Sequence, residues 1–178
     1  MGLDRHQRSA LITERIHHLT HSPAQRTHLS HLLTLLIGPP TISPMPTADN
    51  VIPQLKAACE GLMWRSEADY PLNIICWELP ERHLDYHDLL YYSGHAVDTS
   101  VAEISLDAFF GKVTVERAWF DSQEKALVQR YRSLRELLEL TLEDLKVYRM
   151  GEVEVEVCVL GWTEDKCLVG FATTLVET

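Results

Sequence analysis

The chain has 178 residues, with 16 Lys plus Arg against 26 Asp plus Glu, a formal charge of −10 with histidine neutral. Such an acidic balance argues against nucleic acid as a direct ligand, because phosphate binding needs a concentrated basic face. With 46% apolar and 24% charged residues the composition is that of a soluble globular protein. The nearest candidate for a membrane span, the short Leu32–Ile37 stretch, is stopped by Gly38-Pro39-Pro40, far short of the roughly 18 residues a span needs, which excludes a transmembrane protein.

In chain order, residues 1–44 carry a net charge of +2 and six of the nine histidines (His6, His17, His18, His21, His28, His31). His17 and His21 share helical metal-ligand spacing, but no acidic or cysteine ligand completes a site. The segment reads as a basic extension: weakly ordered, transit-peptide-like, or upstream of a translation start at Met45. A Pro-rich linker closes it, so the expected division is an extension over 1–46 and a domain over 47–178. Residues 45–178 hold 12 bases and 24 acids, and this acidic body is where function is sought. An acidic surface repels nucleic acid but steers basic proteins toward itself.

Asn50 is a cap for a helix to about Leu62, with Leu55, Cys59 and Leu62 on one face. Trp64–Asp69 looks exposed, and Tyr70–Glu78, aromatic and β-branched, reads as a central strand. Residues 83–92 favour a short helix ended by Gly94, Val101–Ile104 a strand, and Ser105 caps a helical turn through Phe110. Asp121 followed by Glu124 is a capping box, and Leu127, Tyr131, Leu134 and Leu138 then mark a long amphipathic helix. Gly151–Leu160 alternates strictly, predicting a strand with one buried face and one solvated face carrying Glu152, Glu154 and Glu156. Gly161–Lys166 is the turn and Cys167–Val176 the returning strand.

Few residues carry catalytic signals. His83 and His87, beside Asp85 and Asp88, have the spacing to hold a metal on a helix, although a polar helix face is the plainer reading. Ser93, His95 and Asp98 are the residue types of a hydrolytic triad, but six positions of one loop cannot easily align them. There is no phosphate-binding loop, dinucleotide fingerprint or paired CxxC site. Cys59, Cys76, Cys158 and Cys167 occupy apolar positions of core type. Cys158 and Cys167 could approach across the hairpin, yet four cysteines without a secretory signal suit a reduced, cytoplasmic protein. Trp64 and Trp119 stand in exposed-looking segments, where tryptophan is a frequent interface anchor, with a ring folded over the edge of the core the equal alternative for each. The residues alone describe a binding protein with a basic partner.

From Val51 to the C-terminus the chain strongly resembles the nuclease A inhibitor family. The resemblance rests on Gln54-Leu55-Lys56 with Gly61-Leu62, Ser66-Glu67 with Tyr70-Pro71, and Ser93-Gly94-His95. It continues through Phe109-Phe110, Trp119, Val147–Glu154 and the ending Val176-Glu177-Thr178. It implies an α+β fold, a three-layer α/β/α sandwich similar to pathogenesis-related proteins, its sheet ending in an antiparallel hairpin and flanked by helices. It also implies a non-catalytic protein without a cofactor of its own, binding one-to-one to a magnesium-dependent, sugar-non-specific nuclease. By the same resemblance, Glu67 enters the nuclease active site in place of the scissile phosphate, Thr178 coordinates the nuclease's magnesium, and Trp119 packs at the interface. Ala118 departs from the pattern, standing where the family has an interface aspartate, which leaves open a different partner enzyme. The rival reading is an interaction module of the same fold with a non-nuclease partner.

Overall fold

The computed structural model describes residues 45–176. The basic segment over 1–44, with its six histidines, and Thr178 lie outside the described residues. The elements run α1 (Ala48–Cys59), β1 (Met63–Arg65), β2 (Asp69–Pro71), β3 (Asn73–Glu78), α2 (Tyr86–Ser93), β4 (Val101–Ile104) and α3 (Leu106–Phe110). Then come α4 (Ser122–Thr141), β5 (Glu143–Met150), β6 (Glu154–Trp162) and β7 (Cys167–Val176). This is a mixed helix and antiparallel-sheet fold closed by a C-terminal hairpin.

Local chemistry explains the element boundaries. Asp121 accepts from the backbone of Gln123 and Glu124 while Glu124 reaches back to the Asp121 amide, completing the expected capping box of α4. Ser105 caps α3 through Ala108, and Asp85 caps α2 through Asp88. Gly94 ends α2 at φ 77°, a left-handed conformation that costs glycine nothing. α1 starts two residues before the predicted cap. Thr47 holds the cap position without a side-chain bond to the helix backbone, and the Ala48 amide instead donates to the Asp165 carboxylate at 3.0 Å. The β6–β7 turn thus caps the first helix.

That long-range cap makes a pH prediction. The Thr163 hydroxyl, followed by the Ala48 amide, holds the Asp165 carboxyl below its ordinary range. A lowered folded pKa stabilises above the unfolded value near pH 4 and is lost as pH falls through the folded one. Asp165→Ala should cost about 1 kcal/mol at neutral pH, and the difference between variant and parent melting should shrink in titrations taken below about pH 4.

The main sheet has the order β3-β7-β6-β5-β4, antiparallel throughout, and β1 and β2 form a separate two-stranded ribbon. Successive residues of β6 point to opposite faces. Val155, Val157 and Val159 join the larger core with Val51 and Leu55 of α1, Phe109 and Phe110 of α3, and Tyr131, Leu134 and Leu138 of α4. Cys158, Leu160 and Trp162 join a second core under Leu89 and Leu90 of α2. Gly170 of β7 lets the hairpin close: a Cβ there would lie 1.8 Å from the Val159 carbonyl oxygen.

Four expectations are corrected. The predicted strand over Tyr70–Glu78 breaks at Leu72, and its second part, β3, is an edge strand rather than a central one. Its apolar residues alternate between the two cores, Ile74 in one and Ile75 and Trp77 in the other, which makes an edge strand read like a central one. β6 does not carry a solvated glutamate face: Glu152 precedes the strand, Glu154 is exposed at its start, and Glu156 is half-buried. The remainder of that face is covered through α2. Trp64 is 4% exposed because the period-two turn of β1 directs it inward between exposed Met63 and Arg65. Finally, Cys158 stands opposite Ala172 and Cys167 opposite Glu78, so the hairpin keeps the two thiols apart.

Candidate functional site

The turn between β1 and β2 presents Ser66, Glu67 and Ala68. The Ser66 hydroxyl donates to the Ala68 carbonyl at 2.9 Å, which closes the turn. The same oxygen accepts from the Val176 amide at 3.2 Å, tying the turn to the last described residue of β7. Glu67 is exposed on this anchored turn. It lines a cleft of about 530 Å³ together with Arg65, Lys112, Phe109, Arg149 and Val176. Three cations therefore surround the turn on an otherwise acidic body.

A second cleft, of about 240 Å³, lies beyond it and shares Arg65, Lys112 and Val113 with the first. Its far side includes Val115 and Phe120, on the segment that carries Ala118 and Trp119. Trp119 is 73% exposed, its ring edge-on to Phe120, with the Arg117 guanidinium 5.4 Å from the ring centroid. The capping box begins two residues later, so this exposed ring stands next to a fixed helix start. Arg65 and Lys112 thus connect the surroundings of Glu67 with the segment bearing Trp119. Val176 lines the first cleft, and Thr178 follows two residues on, outside the described residues.

The enzyme-like constellations do not assemble. The Ser93 hydroxyl donates back to the Leu89 carbonyl at 2.6 Å within its own helix, and His95 Nε2 pairs with Glu156 at 3.0 Å, so no nucleophile–base contact forms. Asp85, His87 and Asp88 can bring one ligand atom each within 4.8 Å of one another; His83 is not in this group. Asp85 is already engaged as the cap of α2.

All four cysteines are free thiols. Burial pushes Cys59 up to about 11 and raises Cys158 further, and burial followed by nearby carboxylates raises Cys76 and Cys167. Thiols held protonated are weak nucleophiles and weak metal ligands. A disulfide-exchange reagent at neutral pH should label exposed Cys76 first, and reach Cys59 and Cys158 only in denaturant.

With this geometry in place, the sequence model for nuclease A inhibitor-like proteins matches residues 49–178, most of the chain. The chain belongs to the nuclease A inhibitor-like family. The match begins in the first turn of α1 and includes Glu67, Trp119 and Thr178. The general function that membership in the nuclease A inhibitor-like family implies is inhibition of a nuclease, with a nuclease as protein partner. The comparison with curated proteins returned no match. No helix among the described residues is long and apolar enough to cross a membrane.

Sequence reasoning missed Arg65, Lys112, Phe109 and Arg149 as neighbours of the Glu67 turn. The available signal was the cation flanking a buried aromatic: once Trp64 points inward, Arg65 must point out beside the turn. The approach of Arg149 from β5 and Lys112 from beyond α3 depends on sheet order, which no local pattern encodes.

Proposed function

We propose that this member of the nuclease A inhibitor-like family blocks the active site of a magnesium-dependent, non-specific nuclease as a one-to-one substrate mimic. In this reading Glu67 takes the place of the scissile phosphate and engages the enzyme's basic groups. Thr178 offers oxygen ligands to the enzyme's magnesium, a hard cation that prefers oxygen. Trp119 adds buried aromatic area beside the charged contacts. The observation that carries the proposal is the hydrogen bond from the Val176 amide to Ser66 Oγ, at 3.2 Å. It couples the Glu67 turn to Val176, the end of β7, which precedes Thr178 by two positions in the sequence.

The same proposal includes the finer fold reading, a three-layer α/β/α sandwich like that of pathogenesis-related proteins, supported by apolar cores on both sheet faces. It includes an inhibitory unit over residues 47–178, supported by the extent of the family match. It also includes cytoplasmic action, where an inhibitor would neutralise nuclease before export, and the absence of any catalysis of its own.

The test is titration of a magnesium-dependent non-specific nuclease with the full chain and with a chain lacking Thr178. The expected result is stoichiometric inhibition by the parent and weaker inhibition by the truncated chain. Failure of the folded parent to inhibit any such nuclease would overturn the proposal and favour a different partner, a reading to which Ala118 beside Trp119 lends support.

A further inference from the structure

The surface formed by β3 and α2 is not used by the proposed inhibitory site, and its chemistry is specific. β3 is the last strand of its sheet. Among the described residues, the backbone of 73–78 makes no backbone–backbone hydrogen bond besides its ladder to β7. Beside this edge Trp77 stacks on Tyr92 at 5.5 Å between centroids, and Tyr92 meets Tyr91 edge-on at 5.5 Å. Tyr91 is 75% exposed. A row of aromatic faces therefore runs from the open strand onto the outer surface of α2.

The charge around the row has one sign. On the α2 side of the sheet, Asp85 and Asp88 stand at the start of the helix that carries the tyrosines and Glu81 in the loop leading to it, and the cation of this stretch, Arg82, is committed to Glu143 and Asp144 while resting over Trp162. An open strand edge is a template for an incoming strand. That strand would send alternate side chains to the α2 face of the sheet. Side chains arriving there meet tyrosine and tryptophan rings within an acidic rim, the environment that favours arginine and lysine. A second copy of this chain is disfavoured, since it would bring the same carboxylates against each other.

We propose that β3 and the Trp77–Tyr92–Tyr91 row form a second docking surface, which captures an extended basic segment of a partner protein by strand addition. The incoming segment pairs with the edge of β3 opposite β7 and stacks its cations on Tyr91 and Tyr92. The surface is separate from Glu67 and Trp119, so its failure and the failure of the inhibitory reading are distinguishable.

The experiment uses the full chain and two probes, an alternating Val-Arg peptide long enough to span β3 and the matching Val-Glu peptide. Binding is read by calorimetry, and the site by hydrogen exchange. The expected result is binding of the Val-Arg peptide alone, with new protection at amides of residues 73–78. Tyr91→Ala combined with Tyr92→Ala should weaken binding about tenfold. Because Tyr92 touches Trp77, Asp88→Asn with Glu81→Gln serves as a second variant; it should weaken binding and flatten its salt dependence. Absence of binding, binding without protection at 73–78, or equal affinity in both variants would overturn the proposal. So would self-association that protects the β3 amides without peptide.

Discussion

Trp64→Ala is expected to cost about 3–5 kcal/mol of folding stability and to lower the melting temperature by roughly 10 °C. Trp64 lies face to face with Phe109 at 3.9 Å between centroids and edge-on to Phe110 and Tyr131 at 5.7 and 5.5 Å. It therefore fastens the β1–β2 ribbon to both α3 and α4. Tyr131 adds a second fastening by donating its hydroxyl to the Met63 carbonyl. Truncation at Trp64 removes aromatic contact on three sides and leaves a cavity that the fixed helices cannot fill. Trp119→Ala should behave oppositely, changing stability by less than about 0.5 kcal/mol, because 73% of that residue is already in solvent. Urea unfolding of both variants decides the matter. A Trp64→Ala protein as stable as the parent would mean that the ribbon is not part of the cooperative core.

The contrast between these tryptophans shows what a sequence can reveal here. Both border polar stretches, Arg65–Asp69 and Asp121–Lys125, and a three-residue strand is too short for its period to be recognised against an exposed loop. The elements that could be read carry redundant local signals. α4 has a reciprocal cap and a repeated apolar stripe, and β6–β7 has nearly strict alternation and a polar turn. Sheet order has no comparable local signature: β3 reads as central because α1 and α2 cover its two faces, although among the described residues it pairs on one edge with β7 and on the other with no strand. The glutamates of β6 illustrate the same limit. Alternation correctly separates the faces, but only the fold shows that α2 lies on the second and that Glu156 meets His95 there. Of the candidate site, Glu67 came from resemblance, Trp119 from its exposed-looking segment as well as resemblance, and the cations joining their surroundings from tertiary packing.

Glu67→Ala is expected to weaken inhibition of the target nuclease by about 30- to 5,000-fold, corresponding to the 2–5 kcal/mol lost when one partner of a buried charged contact is truncated. Exposure of Glu67 in the uncomplexed protein keeps the cost to folding small, so the loss would report on binding. The turn's shape rests on Ser66, whose hydroxyl closes it onto Ala68 and anchors it to Val176. Ser66→Ala should therefore weaken inhibition less than Glu67→Ala, by loosening the carboxylate without removing it. Glu67→Gln separates charge from shape: it retains an oxygen acceptor and side-chain length, and should fall between parent and alanine variant. Raising ionic strength should affect the parent more than Glu67→Gln if the carboxylate engages cationic groups of the enzyme. The measurement is the inhibition constant of each variant across a salt series, with matched unfolding curves. Parent-like inhibition by Glu67→Ala would remove this carboxylate from the mechanism and leave the cation-lined cleft and Trp119 as the surface to test next.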